Sequence, residues 1–212
     1  MNKRNYQKEL DALTASINTE KKPSLLLHSC CAPCSSYCLM YLAEFFDITD
    51  YYYNPNITIE EEYYKRIGEL ERLIGIYNKD QNNIRFVRGE YEPEIFNEMA
   101  KGLENEPEGG KRCYRCYELR MRKACEYAKE NGFDYFTTTL SISPLKNVSW
   151  INEIGERLGE EYGIKHLPSD FKKKNGYLRS IELSRKYGLY RQDYCGCEYS
   201  KRRDYPVKGG RK

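Results

Sequence analysis

The sequence predicts an α/β fold: a single domain in which a parallel sheet is flanked by helices on both faces. Three observations carry this reading. Short runs of β-branched and aromatic residues alternate with longer stretches of helical periodicity, the signature of strand–helix–strand crossovers. The 212 residues, 40% of them hydrophobic, suffice for one buried core but not for two large domains. Neither an internal repeat nor a low-complexity segment interrupts the alternation.

Residues 1–22 read as a polar amphipathic helix ahead of the domain, which spans 23–200 and is followed by a basic tail, 201–212. Within the domain, Pro23 and the apolar run from Ser24 to His28 predict a short buried strand, followed by a cysteine-rich turn and a helix from Ser35 to Phe46. Asp50–Tyr53 predicts a second strand closed by Asn54-Pro55-Asn56, and Thr58 is placed to cap a charged helix from Ile59 to about Tyr77. Ile84–Val87 predicts a third strand. A helix carrying Cys113 and Cys116 then runs to a stop at Asn131-Gly132. Phe133–Leu140 reads as a strand, Trp150–Tyr162 as a helix with an apolar stripe, and Ile164–Leu167 as the last strand. This order predicts a parallel sheet with right-handed crossovers.

In such a sheet, ligands collect beyond the carboxyl ends of the strands. A nucleotide-binding chain would carry Gly-x-Gly-x-x-Gly or Gly-Lys-Ser/Thr after its first strand, and neither motif occurs. Cysteines occupy that loop instead.

The sequence contains no run of eighteen apolar residues and its first residues do not read as a signal peptide, so a cytoplasmic, membrane-free location is expected. Thiols stay reduced there, and nine cysteines then point to metal or redox chemistry rather than structural disulfides. The net charge of +3 conceals an asymmetry, because residues 172–212 hold thirteen Lys or Arg against four Asp or Glu. Six tyrosines in that segment, among them Tyr194 and Tyr205, offer stacking faces for unpaired bases. The segment therefore suits a polyanionic partner, although a solvated surface would look the same.

Six cysteines fall in close pairs: Cys30-Cys31, Cys113-x-x-Cys116 and Cys195-x-Cys197. Neighbouring cysteines can both ligate one polynuclear cluster, and Cys-x-x-Cys sets two sulfurs on one side of a helix turn, where helix polarity favours thiolate. Cys30, Cys31, Cys113 and Cys116 thus form a plausible set of four for a 4Fe-4S cluster. A tetrahedral zinc site tying two loops together is the rival, since Cys-x-x-Cys taken alone marks zinc more often than a cluster, though adjacent cysteines are unusual zinc ligands. Cys195 and Cys197 could form a strained, easily reduced disulfide, bind a second metal, or be isolated thiols; Gly196 permits the bend. Cys34 is either an extra ligand or a helix residue. Cys38 and Cys125 lie among apolar helical positions and read as core, His28 and His166 as structural, and Asp193 as a candidate ligand or proton donor.

Together, His28-Ser29-Cys30-Cys31-Ala32-Pro33-Cys34, Tyr53-Asn54-Pro55-Asn56, Cys113-x-x-Cys116-x-x-x-Arg120 and Tyr194-Cys195-Gly196-Cys197 resemble the epoxyqueuosine reductase QueH family, over about Ser24 to Arg203. The resemblance implies a two-electron deoxygenation, in which the epoxide of epoxyqueuosine at the tRNA wobble position becomes the alkene of queuosine with loss of water. It implies a 4Fe-4S cluster on Cys30, Cys31, Cys113 and Cys116, a redox-active pair at Cys195 and Cys197, and an additional iron near the cluster. It also implies tRNA as partner, an electron donor yet to be identified, and a Rossmann-like sheet of the PP-loop or HUP kind with the cysteine loop replacing the phosphate loop. The rival from another class is a non-catalytic, zinc-stabilised RNA-binding module.

Overall fold

The computed structural model describes residues 4–80 and 82–201. Most of the basic tail, with Tyr205, lies outside the described residues.

Five parallel strands, β1 (Ser24–Ser29), β2 (Asp47–Tyr52), β3 (Arg85–Arg88), β4 (Tyr135–Thr138) and β5 (Lys165–His166), lie in the order β3-β2-β1-β4-β5. The predicted α/β architecture is therefore correct. Seven helices accompany them: α1 (Tyr6–Ala15), α2 (Ala32–Leu42), α3 (Glu60–Lys79), α4 (Pro93–Ala100), α5 (Lys111–Glu130), α6 (Val148–Tyr162) and α7 (Gly176–Lys186).

Successive strand residues point to opposite faces, and the two faces build separate cores. Leu25, Leu27, Ile48 and Tyr52 pack with α1, α2 and α3, whereas Leu26, Tyr51 and Phe136 pack with α5 and α6. Burial on both sides explains why β1 is uninterruptedly apolar at Leu25–Leu27. The strand order reverses direction between β1 and β4, creating the crevice where a doubly wound sheet binds its ligand.

Several element boundaries differ from expectation. β2 begins at Asp47 because Ile48 is already in the core, and Thr58 does not cap α3, whose N-cap is Ile59 without a side-chain bond. The N-terminal helix is shorter than 1–22 and is partly integrated, with Leu10 completely buried in the first core. Helices α4 and α7 are additions to the predicted set. The buried face of α7 is Gly176, Ser180, Leu183 and Ser184, so its periodicity carries almost no hydrophobic signal. Small residues there let α7 approach closely: a Cβ on Gly176 would lie 1.9 Å from the Phe171 carbonyl oxygen and 2.6 Å from the Tyr37 ring.

Both histidines are structural, as expected. His28 is bonded through Nδ1 to Thr138 Oγ1 (2.8 Å) and through Nε2 to the Tyr53 carbonyl (3.0 Å), while both ring nitrogens of His166 are buried without partners. Burial pushes each down to about 3. The folded form therefore stays neutral while the unfolded chain takes up protons below about pH 6.5, so stability is full above that pH and declines as pH falls toward 3. Each histidine should contribute about 1.4 kcal/mol per pH unit within that window. Urea unfolding at pH 7 and pH 5 should show a smaller acid loss in His166→Asn than in the unsubstituted protein; equal losses would contradict the neutral assignment.

Candidate metal and redox centre

β1 ends at Ser29, and the chain turns through Cys30 and Cys31 into α2, with Cys31 in extended conformation (φ −174°) as N-cap and Pro33 in the first turn. The turn is fixed from below. Ser35 Oγ donates to Ser29 Oγ (2.9 Å), which donates to the buried Asp50 (2.5 Å), and Asn54 Nδ2 donates to the Ser29 carbonyl (2.9 Å). Burial, partly opposed by the Ser29 hydrogen bond, raises the Asp50 carboxyl to about 8. Thr139, just beyond β4, reaches Cys30 Sγ at 3.7 Å, so both strands flanking the crevice contribute to the site.

The sulfurs of Cys30, Cys31 and Cys34 all lie within 4.8 Å of one another, the single such cluster of potential ligands among the described residues. Cys30 and Cys31 Sγ are 3.8 Å apart. A tetrahedral ion with metal–sulfur bonds of about 2.3 Å separates its ligand sulfurs by about 3.8 Å, so this group could hold a metal. Cys34 is thus both a first-turn helix residue and a member of the thiol group. Hydrogen bonds from Cys31 and Cys34 hold the Cys30 thiol well below its ordinary value, and the same contact with Cys30 pushes Cys31 up to about 12.

Cys113 and Cys116 do not join that set of three. They sit near the start of α5 and, with Cys195 and Cys197, line an adjoining small pocket. Burial raises Cys113 and takes Cys116 to about 12. These thiols would ionise on meeting a metal rather than before it. A larger cleft of about 290 Å³ runs past Cys30, Cys34 and Cys195, and Asp193 lies on its wall. Cys195 lines both cavities.

All nine cysteines are free thiols, including Cys195 and Cys197. Gly196 between them has φ +116°, a conformation that L side chains rarely adopt, and a Cβ there would lie 2.6 Å from Ile57. The expected need for glycine is met. Cys38 and Cys125 are completely buried, consistent with core roles.

Sequence reasoning missed three cations. Arg66, 2% exposed, pairs with Glu62 (2.7 Å) and donates to the Cys195 carbonyl (3.1 Å), which Asn56 Nδ2 also reaches (3.3 Å). Its signal was a charge on the apolar stripe of Tyr63, Ile67 and Leu70. Arg120 was quoted only as a motif residue. It is 1% exposed, bonds Asn54 Oδ1 through Nη2, and leaves Nε and Nη1 without partners at the wall of the cleft. Lys146, in the loop before α6, lines both cavities and had no sequence signal. The Lys and Arg predicted to face a polyanion are partly committed elsewhere: Lys172 pairs with Asp170 (2.7 Å) and Lys174 with Asp11 (2.6 Å).

The profile of the family described as "Epoxyqueuosine reductase QueH" matches residues 25–203. Relatives of that name include a Streptococcus pyogenes protein, 47% identical over 180 residues (84% of this chain, 71% of the relative). The Staphylococcus epidermidis protein is 44% identical over 200 residues (92% and 84%), and the Thermotoga maritima protein 35% identical over 182 residues (84% and 90%). The match takes in the cysteine loop after β1, the Cys-x-x-Cys of α5 and the Cys195-Gly196-Cys197 segment alike. The chain belongs to the epoxyqueuosine reductase QueH family.

Proposed function

We propose that this protein is an oxidoreductase that reduces epoxyqueuosine in tRNA to queuosine, the last step of queuosine biosynthesis. The family match over residues 25–203 carries this reading. The site supports it. A completely buried guanidinium with two unpartnered nitrogens, Arg120, faces the cleft beside Cys30 and interacts with Cys116, and a cation so placed calls for an anionic partner. A 4Fe-4S cluster with four thiolate ligands is anionic, and the residues fit it.

In this proposal Cys30, Cys31, Cys113 and Cys116 hold the cluster, with Cys34 available beside them, and Cys195 and Cys197 act as a redox pair or hold a second iron. When bound, the cluster supplies low-potential electrons one at a time. The chain's own residues do the rest. Arg120 balances charge, Arg66 and Asn56 fix the Cys195 carbonyl, and the cleft admits the nucleoside while its walls limit water. In this proposal the activity is cytoplasmic, a location that reduced thiols and a tRNA substrate support, and no helix of the described residues is long and apolar enough to cross a membrane.

The test is anaerobic incubation of iron–sulfur-reconstituted protein with epoxyqueuosine-containing tRNA and dithionite, followed by nucleoside mass analysis. Queuosine, lighter by one oxygen atom, is the expected product. Unchanged nucleoside together with bound zinc and no iron or sulfide would instead favour the zinc-stabilised RNA-binding module.

A further inference from the structure

The reaction proposed above removes an oxygen from carbon, and its balance sets a demand on the protein. Both carbon–oxygen bonds of the epoxide break, two electrons enter from the external reductant, the two carbons become an alkene, and the oxygen leaves as water after gaining two protons. Opening the ring puts charge on an oxygen whose basicity is that of an alkoxide, far above that of an amine. A proton donor within reach of that oxygen therefore lowers the barrier at the step where charge develops.

Five cations stand at the two cavities, and four of them are guanidinium groups. Arg66 is tied to Glu62 and the Cys195 carbonyl; Arg112, 2% exposed, donates to the carbonyls of Leu103 (2.6 Å) and Glu104 (3.1 Å); Arg191 donates to Ser184 Oγ (3.2 Å); Arg120 bonds Asn54 and turns its two remaining nitrogens toward the cleft as a fixed charge. Guanidinium groups also do not give up protons in proteins. Lys146 differs on each count. Its loop leaves the carboxyl end of β4 at the reversal of strand order, and its side chain lines both the thiol pocket and the open cleft. It shares the walls of these cavities with Cys195, Cys30 and Cys34.

Resting on the proposed reductase activity, we infer that Lys146 is a catalytic residue, whose ammonium donates the first proton to the departing epoxide oxygen and is recharged through the cleft. The second proton comes from water. A flexible side chain with one compact charge suits this role, since it can follow the oxygen as the ring opens.

Lys146→Ala should keep wild-type iron and sulfide content and tRNA affinity, while its single-turnover rate falls about 100-fold or more. Added ethylamine should restore part of that rate by entering the space vacated. Lys146→Arg, which keeps the charge without a transferable proton, should stay as slow as the alanine variant. Independently of turnover, lysine acetylation of the protein should be blocked at Lys146 by epoxyqueuosine-containing tRNA and not by tRNA lacking the modification. Alanine-variant turnover within twofold of wild type, full rescue by arginine, or equal acetylation with both tRNAs would each overturn the assignment. If the wild-type protein itself leaves epoxyqueuosine unchanged, the reductase reading falls first and this one with it; if the wild type and Lys146→Ala both turn over, only the Lys146 role falls.

Discussion

Cys113→Ala is expected to lose most of its iron and the sulfur-to-iron charge-transfer absorption, whereas Cys34→Ala keeps both. The comparison matters because the fold groups Cys34 with Cys30 and Cys31, and sets Cys113 and Cys116 in the adjoining pocket. A mononuclear ion would be satisfied by the tight group of three. A cluster spreads its thiolates over a larger volume and needs the second pair from α5. Iron and sulfide analysis with visible spectra of anaerobically reconstituted variants decides between them. Full cluster content in Cys113→Ala with loss in Cys34→Ala would move ligation onto the loop after β1.

Cys197→Ser should show the converse phenotype: 4Fe-4S content and tRNA binding near wild type, and little or no conversion of epoxyqueuosine even with excess dithionite. Cys197 is buried, and its Sγ lies 3.4 Å from Ser200 Oγ in the 3-10 turn Glu198–Ser200, packed against Phe96 and Cys116. Serine conserves that packing and removes only the sulfur chemistry. Metal analysis then separates two causes. Loss of one iron per chain with the cluster intact indicates a second iron held by the Cys195/Cys197 segment, and unchanged iron with lost turnover indicates a dithiol relay. Wild-type turnover would sink both.

The parts legible in the sequence were those that depend on local pattern. Leu25–Leu27, the Val148–Tyr162 helix with its Gly163 stop in left-handed conformation, and the cysteine pairs all announce themselves within a few residues. What stayed hidden depends on distant partners. Helix α7 buries glycine and serine rather than leucine, so no hydrophobic period marks it. Helix α4 carried a usable signal, Pro93 in its first turn ahead of Phe96 and Ala100, which went unread. The grouping of Cys34 with Cys30 and Cys31 follows from a three-residue helical offset and was within reach. The pairing of Cys113 and Cys116 with Cys195 and Cys197 around one pocket was not, because it depends on where the C-terminal segment is pinned. Nor could spacing reveal that Cys116 would be buried.

That pinning bears on how the protein is made. The cysteine turn after β1 leaves the ribosome early, but the wall carrying Cys195 is the last part of the domain to emerge, and it is held in place by Arg66 and Asn56 through the Cys195 carbonyl. Without that wall, the cleft past Cys30 and Cys34 would lack the side that Cys195 supplies. Metal acquisition during synthesis would thus start from an incomplete coordination sphere, exposed to oxidants and to competing ions. If the site takes the proposed cluster, closure by the C-terminal segment would make its assembly sequential: sheet first, wall second, metal last.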